Sequence, residues 1–144
     1  MKSLDTNILI YCANSDAPEN SNAQKLVEQL LNEPDEWIIA EQVLIEFYRT
    51  LRNPAIFERP VGPGQAFAMT KFFREEAGCG RCCYGLEMWP RLELLFRSPR
   101  FDARRTLDAV LAVTLLANGV DTFYSRNTRD FLGFGFENVV NPID

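Results

Sequence analysis

The amino-acid sequence predicts a three-layer α/β domain with a mostly parallel central sheet flanked by helices. Two observations support this fold class. Short apolar runs that are typical of buried strands alternate along the chain with longer segments of helical periodicity. The 144 residues, 47% of them hydrophobic, can bury one substantial core but hardly two, so residues 1–144 are expected to form a single domain.

The first half of the chain alternates between strands and helices. Residues 2–5 are predicted as the first strand, and residues 21–31 as an amphipathic helix whose apolar side chains recur at helical spacing. Residues 37–40 follow as the second strand. Residues 41–52 are predicted as a helix with one apolar stripe, which ends at an Asn-Pro pair because proline disfavours the helical conformation of the residue before it.

The second half is less regular until its last helix. Residues 65–77 and 86–96 are predicted as helices, separated by a glycine- and cysteine-rich insert at 78–85. Four apolar residues of the first of these helices are expected to face inward: Phe67, Ala68, Phe72 and Phe73. The helix predicted at 106–118 is apolar nearly all round and must therefore be buried. Two further strands are predicted after it, at 120–125 and 138–140.

Charge and composition exclude several classes of function. The formal net charge of −5 argues against a broad basic surface for nucleic acid, so cations would have to be supplied locally, by bound metal ions or a few arginines. Histidine is absent, which excludes every Ser/His or Cys/His nucleophilic pair and the usual zinc ligand. Without a signal peptide or an apolar stretch of roughly 18 to 20 residues, the protein is expected to be cytoplasmic with no membrane contact.

Three carboxylates are predicted at positions where ligands could reach them. Asp5 and Asp130 each follow a predicted strand, at the sheet edge where open parallel sheets bind ligands. Glu46 points away from the apolar stripe of its helix. Each also has a structural interpretation: Asp5 or its neighbour Thr6 caps a helix, Glu46 is a solvated surface acid, and Asp130 forms a turn.

Asp108 is the most unusual carboxylate, because it lies in the first turn of the apolar helix. It could simply balance the helix dipole, a contribution of roughly 0.3 to 1 kcal/mol. A charge that enters a core is costly unless it is paired, however, and a metal ion would relieve that cost as well as the repulsion between neighbouring acids. We therefore favour a functional interpretation of this residue.

Together the four acids predict an oxygen-only metal site. Hard divalent cations prefer such ligands, with Mg²⁺ as the natural occupant and Mn²⁺ as the other candidate. Such an ion polarises a phosphodiester and lowers the pKa of a water molecule, so hydrolysis needs no histidine. The predicted site consists of Asp5, Glu46, Asp108 and Asp130.

Four segments of the chain resemble the PIN-domain family, and within it the VapC-type toxins of bacterial toxin-antitoxin pairs. They are LDTNILIYCAN, EQVLIEFYRTLRNP, LDAVLAVTLLANGVDTFYSRNTRDF and GFENVVNP. The resemblance spans nearly the whole chain and implies a PIN-like fold and a metal-dependent endoribonuclease that hydrolyses RNA. It also implies a cognate antitoxin, whose C-terminal segment covers the acidic groove, and a homodimer.

The resemblance also implies roles for individual residues. The four acids correspond to the acidic quartet of the family, with Asp5 and Asp108 as the direct magnesium ligands. Three polar residues would orient the carboxylates or the attacking water: Thr6, Ser125 and Asn127. Two arginines are candidates for contacts with RNA phosphates, with solvated loop arginines as the alternative interpretation: Arg126 and Arg129.

Two features depart from the family pattern. Cys79, Cys82 and Cys83 lie in the insert with a Cys-x-x-Cys spacing, but a zinc site would need the distant Cys12 as its fourth ligand, and free thiols are the simpler interpretation. Asp102 is an additional acid that precedes the apolar helix in a polar segment, and we leave it out of the site. The alternative for the whole protein is a non-catalytic PIN-like module that binds protein or RNA.

Overall fold

Five short strands form the sheet layer of the structure, a computed structural model that describes residues 1–144. The strands are β1 (Lys2–Leu4), β2 (Ile38–Ala40), β3 (Gly80–Cys82), β4 (Thr122–Tyr124) and β5 (Asn138–Val140). In one part β1 pairs with β4 and β4 with β5, and in the other β2 pairs with β3, always in parallel. A parallel bridge between Lys2 and Trp37 joins the two parts, so the spatial order is β3-β2-β1-β4-β5.

Six α-helices connect and cover the strands. They are α1 (Thr6–Ala13), α2 (Asn20–Asn32), α3 (Glu41–Leu51), α4 (Pro63–Lys71), α5 (Trp89–Phe96) and α6 (Thr106–Ala117). Short 3-10 turns lie at Pro34–Glu36, Leu86–Met88, Ala103–Arg105 and Thr128–Phe131, and a π-helical turn at Phe72–Glu76 extends α4. The mostly parallel α/β class predicted from the sequence is confirmed. None of the helices combines the length and the apolar character that crossing a bilayer requires.

Helix α6 is apolar nearly all round because it packs against two cores. Leu111 and Leu115 face the main core, which α1, α2, α3 and the strands share. Ala109 and Val113 face a smaller cluster beneath α5. A helix between two cores has no wide solvent face, which explains why its sequence shows no polar stripe.

In the middle of the chain one strand was not predicted, and the predicted inward face of one helix is wrong. The insert at 78–85 contains β3, an edge strand whose pairing is set by long-range contacts such as the hydrogen bond from the Gly80 amide to the Trp37 carbonyl (2.9 Å). In α4 and the π-helical turn after it, Phe67 is 61% exposed, Phe72 is 36% exposed and Ala68 is also exposed, so only Phe73 of the four expected residues faces the core.

The inward face of that helical segment differs because small residues set its packing. Ala66 and Ala77 are buried on either side of Phe73, whose ring meets Phe47 of α3 edge-on at 5.8 Å between centroids. The π-helical turn at Phe72–Glu76 changes the spacing of the buried positions, which a regular helical period does not anticipate. The helix predicted at 86–96 consists of the 3-10 turn Leu86–Met88 followed by α5, and the remaining predicted elements are present within one or two residues of their predicted bounds.

Candidate active site

Asp5 joins the end of β1 to the start of α1. Its amide donates to the Tyr124 carbonyl of β4 (2.9 Å), which fixes the residue at the carboxyl edge of the sheet. Its Oδ1 accepts the Thr6 amide at 2.7 Å and so caps α1. Its Oδ2 accepts hydrogen bonds from the Ser125 hydroxyl at 2.7 Å and from Nδ2 of the Asn7 side chain at 3.2 Å. The helix cap and the candidate ligand are therefore the same side chain.

Ser125, which follows β4, is fully buried and connects three polar groups. While its hydroxyl donates to Asp5, the same oxygen accepts the Asn127 backbone amide at 3.0 Å and the Asn7 side chain at 3.4 Å. Asn7 in turn accepts the backbone amide of Arg126 at 3.2 Å. These bonds hold the loop after β4 against the start of α1, next to the Asp5 carboxylate.

Glu46 on α3 is half-buried and is held from two elements. Thr6 of α1 donates its hydroxyl to Oε2 at 3.0 Å. Gln42, one turn earlier on α3, donates to Oε1 at 3.4 Å and also to the Leu107 carbonyl of α6 at 3.1 Å. Sequence reasoning missed Gln42, although its position four residues before Glu46 places it on the same helical face.

Three of the four predicted acids line one open cavity of about 530 Å³. They are Asp5 from the end of β1, Glu46 from α3 and Asp108 from the first turn of α6. Thr6 and Asn127, two of the residues predicted to orient the carboxylates, line the same cavity. Residues from widely separated parts of the sequence therefore meet at one edge of the sheet.

Two of these carboxylates, Asp108 and Asp5, have raised pKa values. Burial and, after it, the charges of Asp130, Asp5 and Glu46 together raise the pKa of Asp108 to about 6, against the lowering effect of Arg105. Burial also raises the pKa of Asp5, against the lowering effect of its hydrogen bonds with Ser125 and Thr6. Each of these two carboxylates thus has a reason to prefer a nearby cation.

Asp130 lies at the margin of the cavity rather than in its lining. It is exposed on the 3-10 turn Thr128–Phe131, close enough to raise the pKa values of Asp5 and Asp108. The Arg105 guanidinium donates to its backbone carbonyl, from Nη2 at 2.7 Å and from Nε at 3.1 Å. The structure therefore brings three acids together and holds the fourth beside them through its main chain.

The two candidate RNA-binding arginines differ in their surroundings. The guanidinium of Arg126 pairs with Glu19 at 3.0 Å and donates to the hydroxyl of Tyr11, a residue of the cavity lining. Arg129 is exposed and forms no salt bridge. Of the two arginines, Arg129 is the one whose guanidinium is not paired with a carboxylate of the protein.

Asp102 and the four cysteines, which were not predicted as site residues, lie outside the cavity. Asp102 accepts the Arg104 amide at 3.0 Å and pairs with its guanidinium at 2.9 Å, so it caps the turn before α6. The four cysteines are all free thiols. Burial raises the pKa of the Cys82 thiol to about 11, which disfavours the thiolate form that binds zinc.

The acids offer oxygen ligands without forming a closed cage. No group of three or more acidic or cysteine side chains is close enough to enclose an ion. Mg²⁺ does not need such a cage, because it keeps several waters and is commonly bound by one or two carboxylates. An open cavity lined by Asp5 and Asp108, two carboxylates with raised pKa values, suits that mode of binding.

Comparison with known proteins agrees with this architecture. Residues 3–136 match the PIN domain family. The chain belongs to the PIN-domain family. Ribonuclease VapC24 of Mycobacterium tuberculosis (strain CDC 1551 / Oshkosh) is 38% identical to this PIN domain over 146 residues, which cover 99% of this chain and 97% of that protein.

Solved structures share the fold of this PIN domain at low sequence identity. FitAcB from Neisseria gonorrhoeae superposes with a TM-score of 0.65 at 15% identity and covers 99% of this chain and 98% of its own. VapC20 of Mycobacterium tuberculosis, described as a toxin that cleaves the sarcin-ricin loop, superposes with a TM-score of 0.61 at 14% identity, over 85% of this chain and 87% of its own. Because their sequence identities are this low, the two structures show that the fold is shared and nothing about function.

Proposed function

We propose that this PIN domain is a Mg²⁺-dependent endoribonuclease and the toxin of a type II toxin-antitoxin pair. The observation that carries the proposal is the cavity into which Asp5, Glu46 and Asp108 project from three separate elements. The full-length similarity to a protein named as a VapC ribonuclease supports RNA as the substrate. The absence of histidine fits a metal-dependent hydrolysis, because such chemistry needs no imidazole base.

Asp5 and Asp108 would hold the ion, and Glu46 and Asp130 would complete the acidic site. When bound, Mg²⁺ neutralises the charge of the phosphodiester and helps to activate a water molecule. Ser125 and Asn7 keep Oδ2 of Asp5 oriented, and Thr6 and Gln42 do the same for the two oxygens of Glu46. A fixed set of carboxylates favours the transition state because it needs no rearrangement during the reaction.

The reaction is a hydrolysis of one phosphodiester bond. Water attacks the phosphorus in line, the bond from phosphorus to the 3′ oxygen breaks, and a proton passes to the leaving oxygen. The products are a 5′-phosphate and a 3′-hydroxyl, as the family resemblance implies. Arg129, whose charge is free, is the better placed of the two loop arginines to contact a phosphate.

An antitoxin and a second copy of the chain are the proposed protein partners. The acidic cavity suits an arginine from an antitoxin, since a guanidinium forms bidentate contacts with carboxylates and replaces the charge of the metal ion. A neighbouring groove, which also contains Glu46, is lined by the exposed apolar side chains Ile45, Tyr84 and Leu107. Exposed apolar surface of this kind is typical of interaction sites and supports association with protein.

The four free thiols support a location in the reducing cytoplasm, where disulfides are rare. The RNA substrate and the antitoxin of the proposed toxin are made in the same compartment. We therefore propose that the protein acts there.

The proposal is tested by incubating the purified protein with a mixed pool of single-stranded and structured RNA. Cleavage is compared in Mg²⁺, in Mn²⁺ and in chelator, with the Asp5→Asn variant alongside. We expect cleavage that requires a metal ion and Asp5 and that leaves 5′-phosphate ends. If no RNA is cut under any condition, a non-catalytic module that binds protein or RNA becomes the better account.

A further inference from the structure

Arg105, which directly precedes α6, binds the segment that carries Asp130 at the margin of the acidic cavity. Its Nη2 donates to the Asp130 carbonyl at 2.7 Å and to the Leu132 carbonyl at 3.0 Å, and its Nε donates to the Asp130 carbonyl at 3.1 Å. Its Cζ lies 4.5 Å from the ring centroid of Phe134. The guanidinium is therefore fixed on its edge by main-chain oxygens and on its face by an aromatic ring.

These contacts join two parts of the site that share no other side-chain hydrogen bond. The segment 130–132 carries Asp130, and the first turn of α6 carries Asp108 three residues after Arg105. The side chain of Asp130 makes no hydrogen bond or salt bridge, so its position depends on the main chain that Arg105 holds. Movement of this segment would change the distance between the two carboxylates.

Arg105 and Arg104 are neighbours on one turn but have different surroundings. The side chain of Arg105 is partly buried, whereas that of Arg104 is 91% exposed and pairs with Asp102 outside the cavity. Arg104 is therefore a suitable control for substitutions of Arg105.

We propose that Arg105 is a positioning residue of the nuclease site, which holds Asp130 at a fixed distance from Asp108 by clamping the 130–132 segment to the start of α6. The inference rests on the proposed function. A planar guanidinium can bind two carbonyls and stack on Phe134 at the same time. The ammonium group of a lysine has the same charge but cannot make this planar set of contacts. The substitution Arg105→Lys therefore removes the geometry of the contacts and keeps the charge.

The test compares Arg105→Lys and Arg105→Ala with the wild-type protein and with the control Arg104→Ala. For each protein, kcat and KM for RNA cleavage in Mg²⁺ are measured, together with the binding of Mn²⁺ in the absence of RNA by electron paramagnetic resonance. Unfolding midpoints are recorded, so that all assays are run below them. Phe134→Leu removes the stacking ring but keeps the arginine and an apolar side chain, and serves if Arg105→Ala does not fold.

For Arg105→Lys we expect kcat to fall by about 10-fold or more with KM nearly unchanged, because small displacements of catalytic groups are costly even when charge is kept. The affinity of Arg105→Lys for Mn²⁺ falls as well. In Phe134→Leu we expect kcat and the affinity for Mn²⁺ to fall too. In Arg104→Ala both stay at the wild-type values.

Wild-type kcat and Mn²⁺ affinity in Arg105→Lys would overturn the proposal, as would a change confined to KM, which indicates direct contact with RNA. Equal losses in the Arg104 and Arg105 variants would also overturn it. If the wild-type protein cuts no RNA, the proposed function fails, and the Mn²⁺ measurements alone still decide the role of Arg105.

Discussion

At the scale of single residues, the two oxygens of the Asp5 carboxylate have different tasks. Oδ1 caps α1 through the Thr6 amide, and Oδ2 is held by Ser125 and Asn7 beside the cavity. The cap places the carboxylate at the helix N-terminus, and the hydrogen bonds to Oδ2 fix the orientation of the carboxylate. The fold itself thus places and orients this carboxylate.

We predict that Ser125→Ala impairs the site more than it impairs the fold. Loss of the hydroxyl leaves Oδ2 of Asp5 with Asn7 as its one donor and leaves the Asn127 amide without its acceptor, which costs about 1 to 3 kcal/mol of unfolding free energy. Metal affinity or activity falls by about 10-fold to 100-fold, as for other residues that orient a metal ligand. Denaturant unfolding and metal-dependent cleavage measure the two effects.

Ser3→Ala is the matched control, because Ser3 is equally buried but its hydroxyl makes no hydrogen bond. Its removal breaks no interaction and should change the free energy of unfolding by no more than about 0.5 kcal/mol. Equal effects of the two substitutions on cleavage would contradict the role assigned to Ser125.

Asp108 makes the stability of the metal-free protein depend on pH. Its pKa rises from 3.8 to about 6 on folding, so the folded state binds this proton more tightly than the unfolded state. The free energy of unfolding in chelator therefore falls as the pH rises through this interval, and Asp5, whose pKa is also raised, contributes in the same direction.

The measurement is thermal unfolding in chelator between pH 4 and pH 7, for wild type and Asp108→Asn. As the pH rises, we expect the stability of Asp108→Asn to fall less than that of wild type, so that the difference in stability between the two proteins grows with pH. At pH 7 we expect added Mg²⁺ to raise the stability of the wild-type protein again. Parallel curves for the two proteins would contradict the pKa shift.

The sequence predicts the acids better than the residues that hold them. Asp5 and Asp108 stand at element boundaries that periodicity and capping rules can locate, and the structure brings both to one cavity. Gln42 and Arg105 act through the backbone carbonyls of Leu107 and Asp130, which are distant in sequence. No local pattern encodes such contacts, because they depend on how elements pack together.

At the scale of elements, α6 joins the two cores and also presents Asp108 to the cavity. Its end is defined by Gly119, whose φ of 81° lies in the left-handed region that favours glycine. The helix predicted at 106–118 is confirmed, and it ends in the structure at Ala117. After Gly119 the chain turns back into the sheet as β4, and Ser125 directly follows this strand.

We predict that Gly119→Ala destabilises the protein by about 1 kcal/mol, since alanine at positive φ is strained. A Cβ atom at this position would meet no atom within 4 Å, so the loss comes from the backbone alone. The control is Gly64→Ala in the first turn of α4, where a Cβ also meets nothing, and where alanine should stabilise by about 0.4 to 1 kcal/mol.

Denaturant unfolding of the two glycine variants tests this account of the end of α6. Opposite signs for the two changes are expected, with RNA cleavage preserved in both. A neutral result for Gly119→Ala would mean that the backbone at this position adopts another conformation.

The elements that sequence reasoning missed or misassigned share a physical cause. Strand β3 has no alternating apolar pattern, because its pairing with β2 at the edge of the sheet depends on backbone hydrogen bonds. The inward face of α4 is formed by Ala66 and, beyond the π-helical turn, by Phe73. A regular period of 3.6 residues cannot anticipate that turn, whereas it predicts α2 and α3 well.

At the scale of the whole molecule, the net charge of −5 and the acidic cavity have the same consequence. A protein with no broad basic surface binds RNA weakly unless cations are supplied at the site, so a bound metal ion would serve binding as well as chemistry. The same acids would be available to an arginine of an antitoxin, which would inhibit the enzyme by replacing the metal charge.

The most direct test of the central claim, that the gathered acids carry out RNA hydrolysis, compares Asp108→Asn with Asp102→Asn. Both variants remove one carboxylate from neighbouring positions, but Asp108 lines the cavity and Asp102 caps a turn outside it. We predict that Mg²⁺-dependent cleavage falls by at least about 100-fold in Asp108→Asn, and stays at the wild-type level in Asp102→Asn. Wild-type cleavage by a folded Asp108→Asn protein, or equal losses in both variants, would contradict the assignment of this cavity as the active site.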